Sequence, residues 1–234
     1  MDVLFITPGN ANGIYQELAN DYAAVEPPTW ALLLAQSCRV VGFNVGLIDI
    51  NAERLQKEAV INRIKSFNPR LICFVVYGQN VNSGTVNMSG AISMSNYIKE
   101  VGITTPIAYI GSYVQAVPVK ALKDEPSIDF AFTNEGVYAL RNILSQSTID
   151  LNIFSNIKGI VWRQNGNINL NPPEKIVPND RMDLDLPGYA WDLLAFKKRP
   201  LDLYKAPMWH AEYDQNKRSP YAAIQTSLGC QFGC

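Results

Sequence analysis

The sequence predicts an α/β protein built on a doubly wound parallel sheet of five strands, and three observations support this fold class. Short apolar runs, typical of strands buried on both faces, alternate with segments of helical periodicity. Polar, glycine-bearing stretches follow these runs. The composition, with 47% hydrophobic and 18% charged residues among 234, is that of a globular chain. Such alternation predicts right-handed βαβ units with helices on both faces of the sheet.

The predicted elements follow one another in a regular order. Strands are expected at residues 2–7, 44–50, 70–77, 107–110 and 128–132. Helices are expected at residues 30–41, 53–67, 88–101, 117–123 and 137–144. Pro27-Pro28 opens the first helix and Asn68-Pro69 ends the second. The third strand is the most apolar, so it is expected at the centre of the sheet.

The pattern changes after residue 150. Residues 157–163 and 168–170 alternate in polarity around Asn165-Gly166, which predicts a β-hairpin. Residues 171–219 hold many prolines and aromatic residues and are expected to form an extended, anchored connector. A last apolar run, 221–225, is expected to be a strand. We therefore divide the chain into a ligand-binding domain (1–150), a hairpin and connector (151–220) and the start of a further domain (221–234).

Charge and composition argue against several classes of function. The net charge of -1 and a pI near 5.9 provide no basic field for nucleic acid, and no Lys/Arg run suggests a membrane surface. No apolar run approaches the ~20 residues that span a bilayer. We therefore expect a cytoplasmic protein. Cys38 and Cys73 lie in apolar segments and are expected to be buried thiols.

The sequence lacks the motifs of three functions that are common among such sheets. The first strand is followed by Gly9-Asn-Ala-Asn-Gly13, which is not the Gly-x-Gly-x-x-Gly of dinucleotide binding. No phosphate-binding P-loop is present. A phosphoacceptor site would need an aspartate at the end of the third strand, and this chain has Tyr77 there.

What remains at the strand ends is an uncharged, hydrogen-bonding rim that suits a large flat ligand with amide side groups and a tail. In a parallel sheet these ends meet at one edge, where ligands bind. The candidate cofactor-binding residues are Thr7, Pro8, Gly9, Asn10, Tyr77, Gly78, Gln79, Asn80, Ser83, Gly84, Gly111, Ser112, Tyr113, Asn134, Glu135 and Gly136. The alternative is structural, because Asn and Ser also form turns and helix caps, and a glutamate favours a helix start.

Two cysteines lie four positions apart at Cys230 and Cys234, in a glycine-spaced loop after the last apolar run. Clustered thiolates are ligands for soft metals, and an iron–sulfur cluster is the expected metal centre. A disulfide or a chance spacing is the alternative.

Over nearly its whole length the chain resembles a cobalamin-binding domain fused to a radical S-adenosylmethionine (SAM) domain. The matching pieces are Thr7-Pro-Gly, Pro27-Pro28, Gly111, Asn134-Glu-Gly136, Lys158-Gly-Ile-Val-Trp-Arg163 with its hairpin, Leu184-Asp-Leu-Pro187, Trp191-Asp-Leu-Leu194 and Cys230-x-x-x-Cys234. The resemblance implies that a third cysteine beyond Cys234 would complete a 4Fe-4S cluster that binds SAM. We therefore expect the N-terminal portion of a larger enzyme, itself inactive, whose partner is the remainder of the radical SAM domain.

Two departures from this family bear on chemistry. The Asp-x-His-x-x-Gly that carries a cobalt ligand is replaced by Asn10-Ala-Asn-Gly-Ile-Tyr-Gln16, and the single histidine, His210, lies in the connector. Ser-x-Leu after the third strand is replaced by Tyr77-Gly-Gln79. The resemblance then implies cobalamin with its base displaced, and methyl transfer to an unactivated carbon or similar centre of a small molecule, with ring rearrangement or cyclisation left open as other reactions. The alternative is a non-catalytic cobalamin-binding or degenerate docking module.

Overall fold

The structure is a computed structural model, and it describes residues 1–9, 21–77 and 81–225, without the side chains of 81–86 and 151. Seven strands form one sheet in the order β2-β1-β3-β4-β5-β6-β7. The strands are β1 (Val3–Thr7), β2 (Val45–Asp49), β3 (Leu71–Val76), β4 (Ile107–Gly111), β5 (Phe130–Phe132), β6 (Ile160–Gln164) and β7 (Asn167–Leu170).

The first five strands run parallel, which confirms the predicted fold class. β3 lies at the centre of these five, also as predicted. The chain moves outwards from β1 in one direction to β2 and in the other direction to β3. The strand order therefore reverses between β1 and β3, and in sheets of this kind ligands bind beyond the carboxyl ends of the strands at such a switch point.

The predicted hairpin is part of the same sheet. β6 pairs antiparallel with β5, and β7 pairs antiparallel with β6, around Asn165 and Gly166 at φ 50° and 80°. Positive φ at both turn residues matches the twist of a two-residue hairpin. The hairpin covers the free edge of β5, which would otherwise expose unpaired backbone groups.

Helices cover both faces. The helices are α1 (Thr29–Arg39), α2 (Ile50–Glu53), α3 (Lys57–Phe67), α4 (Val81–Glu100), α5 (Ser112–Ala116), α6 (Pro118–Asp124), α7 (Val137–Leu144), α8 (Leu151–Phe154) and α9 (Met182–Asp185). One core joins α1, α7 and α8 to residues of the connector, and the other joins α3, α4 and α6. The strands supply alternate residues to the two cores because successive side chains of a strand point to opposite faces.

Three predicted segments differ from the structure. The second predicted helix, residues 53–67, begins only at Lys57 as α3, because the short helix α2 ends at Glu53 and Arg54 adopts a left-handed φ of 53°. α4 begins at Val81 instead of residue 88, so Ser83 and Gly84 lie in a helix and not in a loop. Gly111 to Val114, expected to be a loop, leads directly into α5. In each case the polarity of the residues suggested a loop or a longer helix, whereas the helix boundaries depend on tertiary packing that polarity does not encode.

Residues 221–225, expected to be a strand, have no regular secondary structure. A single strand has no neighbour with which to exchange backbone hydrogen bonds, so the apolar run alone does not form one. The Tyr189 hydroxyl of the connector contacts this segment, accepting a hydrogen bond from the Gln225 backbone N–H at 2.9 Å and donating one to the Gln225 carbonyl oxygen at 3.2 Å.

The connector, defined here as residues 171–220, is packed against the domain. Its residue Lys205 pairs with Val25 in an antiparallel bridge. Arg218 is 1% exposed and donates hydrogen bonds to the carbonyl oxygens of Asp21 at 2.7 Å and Ala206 at 2.8 Å. The prediction of an anchored connector agrees with these contacts.

Cys38 and Cys73 are buried and free, as predicted. Within the described ranges, no helix has both the length and the apolar character needed to span a membrane.

Candidate functional site

The carboxyl edge of the sheet gathers four of the sequence-predicted segments. Thr7, Pro8 and Gly9 end β1, Tyr77 follows β3, Gly111 and Ser112 join β4 to α5, and residues 134–136 lie between β5 and α7. Of Ser83 and Gly84, only the helical backbone is described. The predicted residues outside the described part of the chain are Asn10, Gly78, Gln79, Asn80, Cys230 and Cys234.

Glycines at this edge permit close contact between strands and loops. A Cβ on Gly111 would lie 2.2 Å from the Val76 carbonyl oxygen, and one on Gly9 would lie 2.9 Å from the Asn51 backbone nitrogen. Both distances are impossible for a real side chain, so these glycines are required by the packing of backbone on backbone.

Three buried polar atoms at this edge have no hydrogen-bond partner within the described ranges. They are Thr7 Oγ1 at the end of β1, Ser112 Oγ at the start of α5 and Trp30 Nε1 in the first turn of α1. An unpaired buried donor or acceptor destabilises a protein by about 1–3 kcal/mol. Native proteins rarely leave such groups unpaired, so the three atoms at this edge indicate a place for a ligand or ordered water. Two more buried atoms of the described residues, Ser37 Oγ and Arg163 Nε, also lack a partner.

Tyr77 lies at the centre of this edge in a chain of contacts. Its ring meets Trp30 edge to face, with centroids 5.8 Å apart. Its phenol oxygen accepts a hydrogen bond from the Gln115 side chain, which also donates to the backbone carbonyl of Asn134. Burial raises the pKa of the Tyr77 phenol far above its usual value, so the group is neutral at physiological pH.

Asn134 and Glu135 use their side chains on the connector. Asn134 Nδ2 donates to the Glu174 carbonyl oxygen at 3.0 Å, and its Oδ1 accepts from the Gly136 backbone at 3.0 Å. Glu135 accepts a hydrogen bond from the Val177 backbone N–H, and burial raises the pKa of its carboxyl. The sequence predicts both side chains at a ligand, whereas the structure engages them in anchoring the connector.

A buried carboxyl that the sequence reading missed lies at the end of β2. Asp49 is 3% exposed, accepts from the Ala52 backbone N–H at 3.0 Å and from the Tyr204 hydroxyl at 3.0 Å. Burial raises the pKa of Asp49 to about 6. Asp49 could have been noticed as an acid that ends an apolar run. Its partner Tyr204 is 155 residues away and carries no sequence signal.

The described residues contain no group of three or more His, Cys, Asp or Glu side chains placed to hold a metal ion. His210 lies in the connector, in a 3-10 helix spanning Met208–Ala211, beside the exposed ring of Trp209. Glu26, just before α1, is a half-buried acid whose pKa burial raises to about 7.

Comparison with known proteins places these features in context. A family model described as "B12 binding domain" matches residues 18–144, more than half of the chain. Among curated proteins, no significant match was found.

Two solved proteins share the fold. OxsB, a cobalamin-dependent SAM radical enzyme with aqua-cobalamin and SAM bound, has a TM-score of 0.60 at 15% identity, over 82% of this chain and 24% of its own. TsrM from Kitasatospora setae, a radical SAM methyltransferase with cobalamin and a [4Fe-4S] cluster bound, has a TM-score of 0.53 at 15% identity, over 76% of this chain and 30% of its own. The chain therefore spans less than a third of either protein.

Proposed function

Because this chain belongs to the B12-binding domain family, we propose that it holds cobalamin at the carboxyl ends of β1, β3 and β4, as the cobalamin-binding portion of a larger radical SAM enzyme. The observation that carries the proposal is the group of unpaired buried polar atoms at this edge. A ligand rich in amide groups fits them, because amides both donate and accept hydrogen bonds.

The residues nearest to the switch point would make the first contacts. The Thr7 and Ser112 hydroxyls would pair with amide side groups of the corrin ring, since each is a donor and an acceptor. Gly111 keeps the ends of β4 and β3 close together, and Gly9 lets the segment after β1 approach the α2 backbone, which helps to fix the positions of these hydroxyls. The other cofactor-binding residues named from the sequence remain predictions at this site.

The cobalt of the bound ligand has no histidine to meet at this edge. The chain holds one histidine, and it lies in the connector beside Trp209. We therefore propose that cobalamin binds with its own base displaced and without a protein histidine on cobalt.

The complete protein is proposed to transfer a methyl group to an unactivated carbon of a small molecule. When bound, cobalamin supplies a cobalt centre that can carry a methyl group. Support comes from the fold shared with TsrM, which is named a radical SAM methyltransferase. In the complete protein, Cys230 and Cys234 would contribute to a 4Fe-4S cluster that binds SAM, and the residues at the carboxyl edge would hold and orient the cobalamin.

The proposal is tested by titrating the chain with hydroxocobalamin, reducing the complex to cobalt(II) and recording an electron paramagnetic resonance spectrum. We expect a stoichiometric complex whose cobalt signal shows no nitrogen hyperfine splitting. Thr7→Val, which keeps the shape of the side chain but removes its hydroxyl, is expected to raise the Kd about 3- to 10-fold, in line with one lost hydrogen bond.

The matched control is Thr105→Val, because the Thr105 hydroxyl contacts the Pro69 carbonyl at 3.5 Å, before β3 and so away from the carboxyl edge. It is expected to leave the Kd unchanged. A folded chain that retains no cobalamin would refute the proposal and favour the docking module instead. Nitrogen splitting would refute the histidine-free, base-displaced arrangement.

A further inference from the structure

We propose that Trp30 is a ligand-binding residue whose indole N–H donates a hydrogen bond to an oxygen of the bound corrinoid, either a carboxamide carbonyl or a phosphate. This inference rests on the proposed function and deepens it. The sequence alone favours a packing role for Trp30, since it opens an apolar helix.

The two buried tryptophans of the domain differ in one respect. Trp162 is 4% exposed, and its indole N–H donates to Asn171 Oδ1 at 3.0 Å. Trp30 is 9% exposed, and its N–H has no partner in the described part of the chain. A buried tryptophan usually finds an acceptor for this proton. Trp30 therefore has a donor that the described residues leave unpaired.

The position of Trp30 connects this donor to the ligand edge. Its ring contacts Tyr77, which follows β3, and β3 pairs with β1, which ends at Thr7. Alternate residues of β1 and β3 place Thr7 and Tyr77 on the sheet face that α1 covers. The unpaired indole N–H and the unpaired Thr7 hydroxyl therefore belong to the same face, on the two sides of the switch point.

Tyr77 acts as a positioning residue for Trp30. Gln115 donates a hydrogen bond to its phenol oxygen, and Asn87 Nδ2 donates to its backbone carbonyl at 3.3 Å. Because the tyrosine ring is held from both ends, the indole that packs against it is held as well. A donor fixed in advance loses little conformational freedom when a ligand arrives, so its hydrogen bond contributes fully to affinity.

The chemistry of the donor limits the ligand group that it can meet. The indole N–H donates only, so its partner must be an acceptor. Corrinoids offer two kinds of oxygen acceptor, the carboxamide carbonyls around the ring and the phosphate of the nucleotide tail. Either oxygen could accept from the indole N–H. A corrinoid without the nucleotide tail distinguishes the two, because it keeps the ring carboxamides and lacks the phosphate.

The test compares Trp30→Phe with the matched control Trp162→Phe, using hydroxocobalamin and cobinamide, which lacks the nucleotide. Both changes remove the same atoms from a buried indole, so they differ in whether a protein acceptor loses its partner. We expect Trp30→Phe to raise the hydroxocobalamin Kd about tenfold, as for one buried hydrogen bond. Trp162→Phe should leave this Kd within about twofold.

The two variants should rank in the opposite order when the stability of the ligand-free chain is measured. Trp162→Phe removes the donor to Asn171 Oδ1, although Asn171 Nδ2 keeps its bonds to the Phe154 and Ile157 carbonyl oxygens, and is expected to lower the urea midpoint. Trp30→Phe removes a donor that has no partner among the described residues and is expected to lower the midpoint less. A tenfold loss that persists with cobinamide assigns the acceptor to a ring carboxamide, and a loss seen only with hydroxocobalamin assigns it to the nucleotide tail.

Two results would overturn the inference. One is an unchanged Kd for Trp30→Phe while the wild-type chain binds normally. The other is a urea midpoint lowered as much as by Trp162→Phe, which would show that the indole N–H has a partner within the protein. If the wild-type chain binds neither corrinoid, the proposed function fails first, and the two failures are thus distinguishable.

Discussion

The two edges of the parallel sheet differ in how far their polar side chains are paired by hydrogen bonds within the protein. At the amino edge, Asp2 accepts from the Asn44 backbone N–H at 2.8 Å and from Arg70 at 3.1 Å, and Arg70 also donates to the carbonyl oxygens of Leu144 and Ser147. At the carboxyl edge, three buried polar atoms have no partner among the described residues. The Asp2–Arg70 group at the amino edge is thus paired within the protein, whereas three atoms at the carboxyl edge are not. Among the described residues, Ser37 Oγ and Arg163 Nε also lack a partner.

This difference is typical of a scaffold that separates stability from function. Paired groups at the amino edge contribute to the free energy of unfolding. Unpaired groups at the carboxyl edge lower the free energy of unfolding, and a protein retains such groups where a ligand pairs with them. Changes made at the two edges should therefore affect stability and ligand binding in different proportions.

The largest expected effect on stability comes from a backbone contact at the carboxyl edge. Gly111→Ala would place a methyl group 2.2 Å from the Val76 carbonyl oxygen, forcing β3 and β4 apart. We expect the free energy of unfolding, measured by urea denaturation, to fall by about 3 kcal/mol.

Gly46→Ala is the matched control in β2. There a Cβ meets the flexible end of the Met1 side chain, at 2.7 Å from its terminal carbon, and this end can move aside. The expected loss is below about 1 kcal/mol. Equal losses for the two variants would contradict the close approach of β3 and β4.

The next effect is the change of stability with pH, which has opposite signs for Asp49 at the carboxyl edge and Asp2 at the amino edge. Burial raises the pKa of Asp49 to about 6, above the value of about 4 in the unfolded chain, so the native state binds more protons between these values. Its contribution to stability is therefore present below pH 4 and is lost as the pH rises from about 4 to about 6.

Asp2 behaves in the reverse way. Burial acts to raise its pKa, but hydrogen bonds from Asn44 and Arg70 outweigh burial and lower it, so its contribution is present above pH 4 and is lost as the pH falls further. Urea midpoints between pH 3 and 7 should show that Asp49→Asn flattens the decline between about 4 and 6. Asp2→Asn should flatten the loss at lower pH, and parallel curves for both variants and wild type would refute the contrast.

The smallest effect on stability is expected at an unpaired hydroxyl. Ser112→Ala removes an oxygen that lacks a described partner, so the free energy of unfolding should change by less than about 0.5 kcal/mol, while the hydroxocobalamin Kd rises several-fold. Ser95→Ala is the control, because Ser95 Oγ contacts Tyr109 Oη at 2.9 Å and Ser127 Oγ at 2.8 Å in the core.

Ser95→Ala should lower the free energy of unfolding by about 2 kcal/mol and leave the Kd unchanged. If Ser112→Ala were the more destabilising of the two, its hydroxyl would have to be paired within the protein. The carboxyl edge would then have its polar groups paired, as the core does.

The sequence predicts the parallel sheet well, because strands buried on both faces are written as continuous apolar runs. All five parallel strands lie where such runs occur, and Pro28 precedes α1 as expected. The switch point follows from the strand order, which periodicity alone does not give. It becomes visible only when β1 is seen between β2 and β3.

The candidate site is only partly predictable for a related reason. Thr7 and Ser112 follow their strands directly, so their place at the edge can be inferred from the chain. The contacts of Trp30 with Tyr77 and of Asp49 with Tyr204 join residues that are distant in sequence. Nothing local encodes such pairs, because they depend on how a helix or a connector packs after the sheet has formed.

The bridge between Val25 and Lys205 bears on how this protein could be divided. The family match ends at residue 144, yet Ala190 donates a backbone hydrogen bond to Leu32 at 3.2 Å, and Tyr204 and Arg218 supply donors to Asp49 and Asp21. A piece cut after residue 150 would lose these donors and uncover the outer surface of α1. The portable unit of this domain, for transplantation into another protein or for splitting into complementing halves, therefore extends through residue 220.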